Sequence, residues 1–185
     1  TTLKLLLQDP EYAKAYNDTM DLLTRAEKAT EEALVQAEQD LAKAEDLLDD
    51  MRDDANKLPD GTAVFRDKDG NVWTEDGELV DPTDAAGIVW KDNAPSYEDY
   101  QRQRQKTDDT RQRIDDIRRY QVDTLGRARD RMSDTENPPS KDDMRDIQDD
   151  IINRAPPIIK RELQQEEPAP AQENDVTLSI EKPQI

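Results

Sequence analysis

Residues 34–58 read LVQAEQDLAKAEDLLDDMRDDANKL, in which Leu34, Ala37, Leu41, Ala44, Leu48, Met51, Ala55 and Leu58 are spaced alternately by three and four. That spacing puts them in one stripe along a helix, and a narrow apolar stripe needs a second helix to cover it. Continued towards the N-terminus, the register meets Thr30, Glu27, Leu23, Met20 and Tyr16, and Glu27 interrupts it. Asp9-Pro10-Glu11 carries a helix start, with Asp9 as cap and Pro10 in the first turn. No Pro or Gly follows until Pro59, an interval of roughly 49 residues or about 73 Å of helix.

Downstream of the stripe the character of the chain changes. The only Phe, both Trp and four of the five Gly fall between Gly61 and Trp90. Thr62 to Arg66, Asn71 to Thr74 and Glu78 to Val80 are short β-prone segments separated by Asp69-Gly70 and Asp76-Gly77, both hairpin-turn signals. They predict a small three-stranded meander, onto which Ile88, Val89 and Trp90 fold back to meet Phe65 and Trp73.

A second helix begins at Pro95-Ser96-Tyr97-Glu98-Asp99, with Ser96 as cap, and continues to about Met132. Its stripe of Tyr100, Gln103, Thr107, Thr110, Ile114, Ile117, Gln121, Thr124 and Ala128 is polar. Buried Gln103 and Gln121 would fix register at a cost in stability. Residues 9–60 hold 6 basic and 16 acidic side chains, whereas residues 97–132 hold 10 basic and 8 acidic, so the two helices are matched for pairing. The competing arrangement is self-association through the Leu/Ala stripe. Pro138-Pro139 then breaks the chain, and Ser140 with Asp143 starts a third helix whose Met144, Ile147 and Ile151 share a face; it is expected near the N-terminal end of the first helix. Beyond Gln164 the chain is rich in Gln, Glu, Pro and Ala, and Val176, Leu178 and Ile180 alternate with polar residues as in a single half-buried strand.

The expected fold is therefore mainly α: an elongated antiparallel coiled-coil hairpin with a β-meander at its tip, a short third helix and an extended C-terminal tail. Residues 1–58 form the first helix, 59–95 the tip, 96–133 the returning helix, 138–163 the short helix and 164–185 the linker and strand-like tail. The helix, β-hairpin, helix order is similar to prefoldin-type subunits in topology alone.

Composition limits the chemistry. Charged residues make up 38% of the 185 and aromatic residues 4%, too few large apolar groups for a wide core. Cys and His are both absent, which removes disulfides, thiolate zinc sites and Cys or His dyads. The formal net charge of −19 opposes binding to a nucleic-acid backbone and favours a basic partner. The longest apolar runs, Leu5 to Leu7 and Ala85 to Trp90, are far below the roughly 20 residues that span a bilayer, and the first residues lack the pattern of a signal peptide.

Asp67 to Glu78 resembles an EF-hand loop in its oxygen side chains at the first, third, fifth and twelfth places, so Asp67, Asp69, Asn71 and Glu78 form a calcium candidate. Val72 stands at the sixth place, where that loop needs glycine, and Thr74 at the eighth. The alternative reading is two acidic turns joined by a Trp-bearing strand. Asp108-Asp109, Asp115-Asp116 and Asp149-Asp150 point about 100° apart on their helices and do not converge. Arg102, Arg104, Lys106, Arg111, Arg113, Arg118 and Arg119 are spread around the second helix, as suits pairing with the acidic first one.

These features imply no cofactor and no enzyme. They predict an adaptor, scaffold or assembly chaperone that binds a protein with a basic or apolar groove through Phe65, Trp73 and Trp90 at the tip and Val176, Leu178 and Ile180 in the tail. Rival readings are a secreted or bacteriocin-like effector segment with the hairpin as receptor-binding arm, and an acidic inhibitor imitating nucleic acid. An enzyme would require a pocket of converging carboxylates.

Overall fold

The computed structural model describes residues 1–165, so the tail positions Val176, Leu178 and Ile180 lie outside the described residues. Those described are mainly helical, with one small three-stranded antiparallel sheet.

Asp9 separates α1 (Thr2–Gln8) from α2 (Pro10–Asp54). Its extended backbone ends the first helix, and its carboxylate accepts from the Glu11 and Tyr12 amides at 3.1 Å, so two otherwise orphaned donors of α2 are satisfied. The Tyr12 amide and the ammonium of Lys141 hold the Asp9 carboxyl below the usual carboxylate range.

The long helix stops at Asp54, four residues before the expected end of the stripe. Ala55 is extended, and Asn56–Lys57 is β1, paired with β2 (Ala63–Arg66), which pairs in turn with β3 (Val72–Thr74). Lys57 folds back to donate to the carbonyls of Arg52 and Asp53 in the last turn of α2, and this satisfies acceptors that helix termination leaves bare. The stripe positions Ala55 and Leu58 still pack, but against the sheet: Ala55 with Phe65 and Tyr100, Leu58 with Val64, Val72 and Val80. Tertiary burial has overridden helical periodicity there.

The expected third strand, Glu78–Val80, is corrected in the same way. It touches the sheet through the Trp73 to Leu79 bridge and the Val80 amide to the Val72 carbonyl at 2.8 Å, while β1 takes the place of the outer strand. The two Asp-Gly turns have their glycines left-handed, Gly70 at φ +86° and Gly77 at φ +83°, with the preceding Asp69 and Asp76 at negative φ. Each is a turn closed by the glycine amide, to the carbonyl of Asp67 or of Thr74, rather than a two-residue loop needing two left-handed residues. A short helix, α3 (Pro82–Ala85), follows.

Ser96 caps α4 (Tyr97–Arg119), its hydroxyl accepting from the Asp99 amide at 3.1 Å. Where α4 meets α2 the polar stripe is accommodated. Gln103 is buried and donates to the Ala44 carbonyl at 3.1 Å, Thr107 donates to the Gln103 carbonyl, and Ala37 clusters further along with Ile114 and Ile117. Ion pairs run alongside: Arg111 with Glu45, Arg113 with Asp40 and Arg118 with Glu38, the numbers falling on α2 as they rise on α4.

Beyond Arg119 the regular spacing breaks. Tyr120–Leu125 forms a π-helical segment before α5 (Gly126–Ser133). The wider turn rotates the helix, so that Tyr120 and Leu125 are buried in place of the expected Gln121 and Thr124. Burial pushes the Tyr120 hydroxyl well above the ordinary tyrosine range, and it donates to the Ile151 carbonyl at 2.6 Å. Glu27, the interruption in the α2 stripe, is ion-paired with Arg129.

The remaining helices are α6 (Lys141–Asn153) and α7 (Pro157–Gln164). A capping box between Ser140 and Asp143 starts α6. It lies on the first turns of α2: Tyr12 donates to the Pro139 carbonyl at 2.7 Å, Gln148 to the Thr19 hydroxyl at 2.7 Å, and Met144 packs with Tyr12 and Met132. Ile151, Ile159 and Leu163 join Leu23, Ala26, Ile117 and Leu125 in the main apolar core.

Candidate interaction surface

The aromatic island between Gly61 and Trp90 becomes a thin three-layered module, with α2 and α4 on one face of the sheet and residues 80–90 on the other. Alternation along β2 explains the layering. Phe65 points to the helices and stacks on Tyr100, ring centroids 4.1 Å apart and 14° from parallel. Trp73, its cross-strand neighbour, stacks on Tyr97 at 5.1 Å. On the opposite face Val64, Val72 and Val80 pack with Leu58, Ala85, Ile88 and Trp90.

Phe65, Trp73 and Trp90 are therefore not one cluster. Phe65 is fully buried and Trp73 half-buried, both anchoring the sheet to the helices, while Trp90 is half-buried on the outer face. The guanidinium of Arg66 lies 4.9 Å above the Trp90 ring. The expected contact of Ile88, Val89 and Trp90 with Phe65 and Trp73 is corrected, because the sheet itself stands between them.

Asn56, which helical spacing puts inside the first helix, instead sits in β1 and organises the outer face. Buried at the end of α2, its side-chain amide donates to the Val89 carbonyl at 2.6 Å and accepts from the Lys91 amide at 3.1 Å, as a strand backbone would. This fixes the 89–91 backbone and turns Val89 outward, where it is 89% exposed; Leu79 is 58% exposed. The available signal was weak: an Asn three residues before the Pro59-Asp60-Gly61 turn, at the end of a run of helix formers.

Val72, Leu79, Val80, Ala85 and Trp90, together with the polar Arg66 and Asn71, line a groove of about 330 Å³. Exposed carboxylates at Asp69, Glu78, Asp81 and Asp84 sit next to the lining residues in the chain.

The calcium candidate is used differently. Asp67 accepts from the amides of Asp69 and Asn71 at 2.9 Å and from the Trp73 indole at 2.8 Å. The indole contributes most to holding its carboxyl below the usual range. Asp69, Asn71 and Glu78 are exposed, and among the described residues no group of three or more acidic side chains is placed to hold a metal ion. Asp67 is thus a turn-forming residue that also orients Trp73.

A second cavity, about 380 Å³, lies where α2, α4 and the turn after β3 meet. Glu45, Asp49, Glu75, Asp76 and Asp108 line it with Arg52, Arg104 and Arg111. Glu45 and Asp108 pair with Arg111, and Asp49 and Glu75 pair with Arg52, while Arg104 donates to the Glu75 carbonyl at 2.9 Å. With the Lys68 amide donating to Glu98 at 2.8 Å, these contacts tie both turns of the module to the helices. Carboxylates do converge there, but four of the five are ion-paired, two with Arg52 and two with Arg111.

Among the described residues no helix is long and apolar enough to cross a membrane. No protein-family model, no curated protein and no solved structure matches this chain.

Proposed function

We propose that this chain is a non-enzymatic interaction protein, an adaptor or scaffold, in which α2 and the α4 to α5 helix form an antiparallel coiled-coil hairpin that presents the β module to a protein partner. One observation carries this reading: Val89 and Leu79 are exposed beside a groove that Trp90 helps to line, on a module whose other face is locked to the helices. Exposed apolar side chains around a half-buried Trp suit a binding anchor. Rigid attachment helps too, since a surface that is already ordered loses less entropy on binding.

Support for the hairpin comes from the descending order of ion pairs and from Gln103 meeting Ala44. The non-enzymatic reading draws on the absence of His and Cys and on the engagement of four of the acidic cavity's five carboxylates in ion pairs with Arg52 and Arg111. Affinity capture with the wild type, with Leu79→Asp/Val89→Asp and with a chain ending at Gln164 tests it. Both substitutions lie on the surface, so the fold should survive them. Loss of the wild-type partner with the double variant is the expected result; undiminished recovery by both the double variant and the shortened chain would sink the proposal.

A further inference from the structure

We infer that the groove beside Trp90 receives a basic segment of another protein, in which an apolar anchor residue is flanked by Lys or Arg. This rests on the adaptor reading above and specifies its partner. Val72, Leu79, Val80, Ala85 and Trp90 give the groove an apolar part, between Arg66 and Asn71, where burying a hydrophobic side chain supplies the driving force. The surroundings set its charge. Residues 66–92 hold eight carboxylates against three cations. Asp69, Glu78, Asp81 and Asp84 are exposed, and none of the four is ion-paired among the described residues, unlike the carboxylates along the α2 and α4 contact. Exposed carboxylates that are not ion-paired, each adjacent in the chain to a residue lining the groove, attract a cationic partner and repel an acidic one. Arg66 does not reverse the sign, since it is one cation, held over the Trp90 ring.

Two other occupants are disfavoured. The chain's own tail leaves α7 beside Arg25, whose guanidinium meets the Leu163 carbonyl at 3.4 Å. From Arg25 to Asp54, α2 rises about 44 Å. From Gln165 to Val176 any chain reaches at most about 40 Å when fully extended, which is less than that rise. A second copy meets a charge barrier instead, since each chain carries a formal net charge of −19 and the groove surroundings are acidic.

The test is selection from a random peptide display library on the immobilised full chain, with wild type, Leu79→Asp/Val89→Asp and Glu78→Gln/Asp84→Asn compared by fluorescence anisotropy on the enriched peptides. Enriched peptides should carry an aromatic or aliphatic residue flanked by Lys or Arg. They should bind the apolar-site variant at least tenfold more weakly and the charge variant several-fold more weakly, with affinity falling as salt rises. Peptides that depend on Leu79 and Val89 but are neutral or acidic would overturn the basic partner and leave the adaptor reading standing. Failure to enrich any peptide that depends on those two residues would overturn both. A gain in peptide affinity on ending the chain at Gln164 would show that the tail occupies the groove. Concentration-dependent dimerisation abolished by Leu79→Asp/Val89→Asp would assign it to a second copy; either result would refute the inference.

Discussion

The base of the molecule and the β module solve the same shortage of apolar residues in different ways. At the base, α2, α4, α5, α6, α7 and the π-helical segment share one core, where Leu23, Ile117, Ile151 and Ile159 are buried together. The module has only two small apolar clusters, one on each face of the sheet, around Phe65 and around Val64, Val72 and Val80. Three short strands are held by ring stacking on Tyr97 and Tyr100, by the side chain of Asn56 and by the Asp67 turn. Aliphatic packing tolerates adjustment across many contacts, whereas a thin module depends on a few directional ones. The module should therefore unfold locally while the base holds, and the base should not fail without the whole chain.

Phe65→Ala makes the sharpest attempt on that contrast. Removing a fully buried ring costs about 3–5 kcal/mol, and hydrogen exchange should show lost protection in residues 56–90 with α6 unchanged. Simultaneous loss at the base would mean that the two regions form one cooperative unit. Leu23→Ala attacks the other side, with an expected cost of about 2–5 kcal/mol and a lower denaturation midpoint for the entire helical signal. If only α6 and α7 melted, the base would be the less cooperative region.

Asn56→Leu should cost about 1–3 kcal/mol by leaving the Val89 carbonyl and the Lys91 amide without their partner. Its signature is a change in Trp90 fluorescence, read in a Trp73→Phe background, with far-UV circular dichroism preserved. Acidification probes the Asp67 turn. Its folded carboxyl is held below the usual value, so its contribution is present above about pH 4 and is lost as the pH falls through the lowered folded value. Trp73 fluorescence should change in that acid window, and Asp67→Asn should remove the transition. The smallest effect belongs to the helix contact: Arg113→Gln should cost no more than about 1 kcal/mol, less at high salt, because this ion pair is solvent-exposed.

Much of the framework was legible because local rules and tertiary packing agreed. Asp9 with Pro10, Ser96 with Asp99 and Ser140 with Asp143 mark helix starts through hydrogen bonds that reach only two or three residues. The stripe from Leu34 to Leu48 reads correctly as a packing face, and α6 lies where the third helix was expected. Failures came where a long-range contact changed the local choice. Asn56 left the helical period to pair with the sheet and hold Val89, a residue 33 positions away. Tyr120 and Leu125 displaced Gln121 and Thr124 because a π-helical turn brings larger apolar groups to the core. The aromatic residues were recognised as a group, yet strand alternation divides them between two faces, so the exposed positions became Leu79 and Val89.

The sequence by itself determined the helical starts, the apolar stripe, the charge match between the long helices and the concentration of aromatic residues in one short span, since each follows from spacing or composition. Only the tertiary structure decided which aromatics anchor and which side chains remain exposed. Burial at the module depends on which face of a thin sheet meets the helices, and that choice is made by Phe65 and Tyr100, 35 residues apart, coming into contact.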